Sequence, residues 1–165
     1  MDKKKILDYK SITKKIRRIS LQIIESYIDQ DEIIIAGIDL NGFIIAKEIS
    51  KEISKISDIH IKLCKVKIDK KKPLNDVSIS LNPQDYQNKS VVVIDDVLNS
   101  GATLMYTVKN FLNTKIKVLK TAVLVDRNHK KYPIKADFKG LSLSTSIQSK
   151  VEVVIDEKKI EAFLV

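Results

Sequence analysis

The 165-residue chain has one cysteine, Cys64, no tryptophan, three prolines and four glycines, and aromatic residues make up only 5% of it. A single cysteine excludes an internal disulfide, so a cytoplasmic protein is expected, held by an ordinary hydrophobic core. Cys64 falls in an apolar–polar alternation and reads as a small core residue rather than a reactive thiol. No stretch approaches the roughly 20 apolar residues that span a bilayer, and the opening Met1-Asp2-Lys3-Lys4-Lys5 lacks the apolar region of a signal peptide. No membrane partner is therefore expected. Scarce aromatics count against the base-stacking platforms of single-strand RNA modules. Arginine is scarce too, since among 30 basic residues only Arg17, Arg18 and Arg127 are arginines. Repeats, low-complexity tracts, linkers, a Walker loop and a Gly-x-Gly-x-x-Gly run are all missing. One domain over residues 1–165 is expected, large enough to bury a real core.

What is present is a basic balance, with a net charge of +9. Scattered lysines on a solvated surface, an anionic ligand or a nucleic acid would each account for it, so charge does not choose the partner.

Periodicity alternates helix and strand. Ile12, Ile16, Ile19, Ile23, Ile24 and Tyr27 form one apolar stripe of a helix over 11–29. A strand over 32–38 leads to a turn at Asp39-Leu40-Asn41-Gly42 and a helix over 43–55. Residues 59–68 alternate as a half-exposed strand should. Residues 69–90 form a long polar loop carrying Lys70-Lys71-Lys72-Pro73, with a short strand over 77–81 inside it. Further strands are expected over 118–125, near 133–138 and over 151–155. Strands separated by helices indicate an α/β fold, an open, twisted, mainly parallel sheet flanked by helices.

The most informative run is Val91-Val92-Val93-Ile94-Asp95-Asp96-Val97-Leu98-Asn99-Ser100-Gly101-Ala102-Thr103. Its β-branched start has the character of a strand buried on both faces. Burying unpaired carboxylates is costly, so Asp95 and Asp96 belong at the carboxyl end of that strand, where a ligand or cation satisfies them. The glycine turn then opens a helix near Leu104, presenting free amides and the positive dipole end to a phosphate. Carboxylates for sugar hydroxyls and a turn for a phosphate stand in line.

This run resembles the signature of type I phosphoribosyltransferases, which bind 5-phosphoribosyl-1-diphosphate (PRPP). The resemblance implies that Asp95 and Asp96, as catalytic residues, hold the ribose hydroxyls. It implies that Asn99, Ser100, Gly101, Ala102 and Thr103 cradle the 5′-phosphate. It further implies that Asp39, Leu40, Asn41 and Gly42, with Lys65, handle pyrophosphate, and that the loop after Ile68 is a flexible hood whose lysines reach it. Mg²⁺ would arrive mainly through PRPP, with no metal site of the chain's own. The stretch Val125-Asp126-Arg127-Asn128-His129-Lys130-Lys131-Tyr132-Pro133-Ile134-Lys135-Ala136-Asp137-Phe138 narrows the likeness. It is similar to the pyrimidine operon attenuation regulators that are also uracil phosphoribosyltransferases, as are Arg18-Ile19, Ile23-Ile24-Glu25, Gly140, Ser144-Thr145-Ser146 and Val151-Glu152-Val153. On that likeness Val125 and Asp126 face the nucleobase through their backbone, with Arg127 and His129 nearby.

The implied reaction displaces pyrophosphate from ribose C1′ by a nucleobase, uracil first, giving a nucleoside monophosphate. The alternative is a nucleotide- or PRPP-sensing regulator that binds an mRNA leader, with weak or no turnover. A homo-oligomer is expected by analogy. Three departures stand out, of which those at the pyrophosphate loop and at Lys65 bear on turnover, while the phosphate loop keeps a form common elsewhere among these transferases. The group's Lys-Thr-Arg-Gly is Asp39-Leu40-Asn41-Gly42 here, its Thr-Gly-Arg-Thr is Ser100-Gly101-Ala102-Thr103, and the arginine ahead of the hood is Lys65. An acid against pyrophosphate opposes binding by on the order of 1 to 4 kcal/mol unless Mg²⁺ intervenes.

Overall fold

In the computed structural model, residues 3–144, 146, 149–157 and 159–165 are described. Thr145, one of the residues in the family likeness, lies outside them. The order is β1 (Lys4–Leu7), α1 (Tyr9–Ser26), β2 (Glu32–Ile38), α2 (Asp39–Ile56), β3 (His60–Lys67), β4 (Ser78–Ile79), α3 (Pro83–Tyr86), β5 (Ser90–Leu98), α4 (Ala102–Phe111), β6 (Val118–Asp126), β7 (Phe138–Ser142), β8 (Val151–Asp156) and β9 (Lys159–Leu164).

Six strands form the main sheet in the order β4-β3-β2-β5-β6-β7, all neighbours parallel except the short antiparallel edge strand β4. Both faces are covered, which is why its central strands are continuous β-branched runs. Ile33 and Ile35 of β2 and Val92 and Ile94 of β5 pack toward α1 and α2, together with Ile12, Ile19, Ile45 and Ile49. Their neighbours Ile34, Ala36, Val91 and Val93 point the other way, toward Leu104 and Phe111 of α4. Asp8 starts α1 by accepting from the Ser11 amide at 2.8 Å, a conventional N-cap.

Several boundaries differ from the sequence reading. The expected turn at 39–42 is the first turn of α2, entered through Asp39 with a left-handed φ of +54°. β5 runs on past the apolar residues through Asp95 and Asp96 to Leu98, so the acids stand in the strand's carboxyl half, as expected. Residues 133–137 are not a strand. Pro133 has no amide to donate, and the segment is tied by Asp137, whose carboxylate accepts from the Thr121 amide at 2.9 Å. In the hood only Ser78 and Ile79 pair, against Lys67 and Val66, and the helical turn α3 that follows seats Tyr86 edge-on to Phe111.

A second, three-stranded antiparallel sheet, β1-β9-β8, joins the chain's two ends. Its buried Ile160, Ala162 and Val153 belong to the same core as α1. No described helix is long and apolar enough to cross a membrane.

The chain reverses direction across the main sheet between β2 and β5, since β3 lies beyond one and β6 beyond the other. At such a switch point the connections leaving two adjacent strands diverge and open a crevice. Here those connections are the first turn of α2 and the loop into α4.

Candidate active site

Asp95 and Asp96 stand at that crevice, 2% and 9% exposed. Asp95 Oδ1 accepts from the Asp96 amide at 2.9 Å and from Lys70 Nζ at 3.1 Å. Asp96 Oδ1 accepts from the Val97 amide at 2.9 Å and from Lys70 Nζ at 3.4 Å, while Asp96 Oδ2 accepts from Asn41 Nδ2 at 2.9 Å. Burial, reinforced by the neighbouring Asp96, pushes the Asp95 carboxyl up to about 8. Burial acts on Asp96 in the same sense, but Lys70 and the hydrogen bonds from its neighbours outweigh it and hold that carboxyl below its ordinary value. For Lys70, partial burial works against the charge and the two carboxylates win, raising its pKa. The two carboxyls are thus pushed in opposite directions, Asp95 up and Asp96 down, while sharing one ammonium.

Beyond β5 the chain turns at Asn99 to Gly101. Gly101 has a φ of +87° and forms the N-cap of α4 without a side-chain cap. A Cβ at Gly101 would come within 2.7 Å of Ile134 Cγ2, so both conformation and space demand glycine. The Ser100 carbonyl accepts from the amides of Lys131 and Tyr132 at 2.7 and 3.1 Å, which fixes the outer side of the turn. Its inner side, with the first amides of α4, faces the acids' crevice, an arrangement suited to a phosphate.

The resulting cleft of about 380 Å³ is lined by Asn41, Lys70, the acid pair, Ser100, Gly101, Thr103, Arg127 and residues 150–153, where the chain enters β8. Asn41 ties three elements together, because its amide also donates to the Val153 carbonyl of β8 at 3.1 Å. Gly42 lies directly beneath the acids. An added Cβ there would be 2.8 Å from the Ile94 carbonyl oxygen and 3.1 Å from Asp95 Cα, so glycine is required by close approach rather than by a left-handed φ.

Not every residue singled out in the sequence converges on this cleft. Asp39 and Leu40 do not line it, and the Leu40 side chain is 66% exposed. Lys65 is held by backbone bonds to Ser80 and places its ammonium 5.4 Å from the centre of the Phe43 ring. Val125 is fully buried in register with Val97 and Leu141. The buried Asp126 carboxylate accepts from the Asn128 amide at 2.9 Å and pairs with Lys139 and Lys130 at 3.4 and 3.8 Å. Arg127 does reach the cleft wall, donating to Asn99 Oδ1 at 2.9 Å and to the Ser149 carbonyl. His129 is half-buried outside the lining. The 150–153 edge escaped sequence reasoning, since its place depends on pairing the chain's two ends.

A family model for the phosphoribosyl transferase domain matches residues 2–158. The chain belongs to this family. It is 33% identical over 162 residues to the bifunctional protein PyrR of Streptococcus thermophilus, covering 95% of this chain and 92% of that protein. The protein of the same name from Clostridium kluyveri is 33% identical over 159 residues, covering 92% and 90%. Among solved structures, a hypoxanthine-guanine phosphoribosyltransferase from Bacillus anthracis superposes with a TM-score of 0.76 at 20% identity, covering 98% of both chains. At that identity the superposition speaks for the fold. The family's chemistry is PRPP-dependent phosphoribosyl transfer, and the chain is a glycosyltransferase of the pentosyl-transferring class.

Proposed function

We propose that the chain transfers the phosphoribosyl group of PRPP to uracil, releasing pyrophosphate and forming the nucleoside monophosphate. The observation that carries this reading is the cleft itself, in which a buried acid pair and the uncapped N-terminus of α4 open onto one space at the sheet's switch point. Asp95 and Asp96 take the ribose 2′ and 3′ hydroxyls, and Ser100 to Thr103, with Asn99 held by Arg127, take the 5′-phosphate. No side-chain nucleophile is needed. Rate enhancement comes from alignment of C1′ with the attacking nitrogen and from stabilising the charge that develops on the leaving group.

On this reading Mg²⁺ would enter the site together with the substrate. Among the described residues no three His, Cys, Asp or Glu side chains converge as a metal cluster, while the acid pair supplies oxygen donors of the kind that cation prefers. Bound with PRPP, such an ion would supply charge neutralisation for the leaving pyrophosphate. Uracil as acceptor rests on the likeness of residues 125–138 to the attenuation regulators. The test is release of pyrophosphate from PRPP and Mg²⁺ with a panel of bases. Turnover with uracil is expected, and no release with any base would overturn the reading.

The likeness of residues 125–138 to the attenuation regulators, with relatives named bifunctional, supports a second role in binding a pyrimidine-operon mRNA leader. Such binding should weaken steeply with salt. Equal affinity for leader and unrelated RNA would refute it.

A further inference from the structure

The acid pair already has a cation. Among the described residues, the ion pairs of Asp95 and of Asp96 are both made with Lys70. Its ammonium bridges Oδ1 of one to Oδ1 of the other at 3.1 and 3.4 Å. Lys70 belongs to no helix or strand. It projects from a turn in which Asp69 Oδ1 accepts from the amides of Lys71 and Lys72 at 2.9 and 3.2 Å, and the Asp69 carbonyl accepts from Lys72 at 3.1 Å. The Lys70 side chain is 39% exposed against 3% and 13% for the carboxylates. It therefore lies over the acids from the open side of the cleft.

A carboxylate oxygen has two lone-pair sites. Asp95 Oδ1 spends both on the Asp96 amide and Lys70, Asp96 Oδ1 spends both on the Val97 amide and Lys70, and Asp96 Oδ2 already serves Asn41. Among the described residues, Asp95 Oδ2 and the second lone pair of Asp96 Oδ2 accept no further bond, but the ammonium bridges the two Oδ1 atoms from the cleft's open side, so a sugar diol that spans both carboxyls meets the ammonium first.

We infer that Lys70 is the resident counter-cation of the ribose site, seated on Asp95 and Asp96 in the ligand-free protein and expelled when a ribose binds. This rests on the proposed ribose 5-phosphate reading and adds a competition step to it. If the ammonium occupies the acids in about four molecules of five, removing it raises apparent affinity for the diol about fivefold.

The experiment titrates ribose 5-phosphate, which has the diol and phosphate but no leaving group, and separately inorganic phosphate, into the wild-type protein, Lys70→Met and Lys70→Arg. The phosphate titration corrects for the general loss of a positive charge. The ratio of ribose 5-phosphate to phosphate affinity is expected to rise about fivefold in Lys70→Met and to stay near wild type in Lys70→Arg, with circular dichroism showing both folded. An unchanged or lower ratio in Lys70→Met overturns the inference while leaving the ribose reading intact. If the folded wild type and both variants bind phosphate but show no preference for ribose 5-phosphate, the ribose reading itself fails and the inference falls with it.

Discussion

Replacing Asp95 by asparagine should stabilise the ligand-free protein while disabling its site. The carboxyl sits 2% exposed with a pKa pushed up to about 8, against about 3.9 in the unfolded chain. Between those values the folded protein retains a proton that the unfolded chain has released, so this group draws stability down as pH rises from about 4 to about 8. At pH 7 the full cost is on the order of a few kcal/mol, and at pH 5 less than half of that. Asparagine keeps an oxygen for the Asp96 amide and carries no charge to desolvate, while Lys70 keeps its partner Asp96. Allowing for the charge that Lys70 and Asp96 share with this group, we expect a net gain of about 1 to 3 kcal/mol near neutral pH. For a chain of this size that is a rise in Tm of about 3 to 9 °C. Thermal denaturation of both proteins at pH 5 and pH 8 measures it, and the gap should widen at the higher pH. A variant less stable at pH 8, or a gap equal at both values, would refute the electrostatic argument. PRPP binding should fall in the same variant.

Two further substitutions probe the wall beneath the acids. Gly42→Ala drives a Cβ to 2.8 Å from the Ile94 carbonyl and 3.1 Å from Asp95 Cα, and should cost about 1 to 3 kcal/mol, read as a lowered denaturant midpoint; an unchanged midpoint would mean that α2 shifts freely. Asn41→Asp replaces the donor 2.9 Å from Asp96 Oδ2 by a second carboxylate, and should raise the KM for PRPP about tenfold by way of about 1.4 kcal/mol of lost positioning. Asn41→Gln should recover part of that loss, and a KM unaffected by Asn41→Asp would remove Asn41 from the site.

The parallel sheet was legible because its strands are buried on both faces, so Ile33 to Ile38 and Val91 to Ile94 appear as unbroken apolar runs bounded by polar turns. The acid pair was legible because charges have no place in such a run without a ligand or a cation. The small sheet was not. Lys4-Lys5-Ile6-Leu7 has no alternation of its own, and it becomes a strand only by pairing with β9 at the opposite end of the chain. The same non-local pairing carries 150–153 to the cleft wall. The start of α2 was misplaced because Asn-Gly suggests a turn, whereas the left-handed residue is Asp39 and Gly42 is small for a contact across to β5.

That contact alters how the departures in the Asp39–Gly42 segment bear on pyrophosphate. Asp39 does not line the cleft. It occupies the first turn of α2, where the helix dipole favours an acid, so its charge is matched to the helix rather than set against a ligand. Asn41 stands where the resembling group has arginine, and it spends its amide on Asp96 and Val153. In this chain the segment orients the acids, and the cations on the cleft come from elsewhere, with Lys70 and Lys150 on its rim and Arg127 in its wall. If Lys70 is expelled by an incoming ribose, its ammonium is released beside the anionic end of the same ligand, together with Lys71 and Lys72. On the proposed reading, the positive charge lost from the α2 turn is supplied by the hood, and only after the ribose is in place.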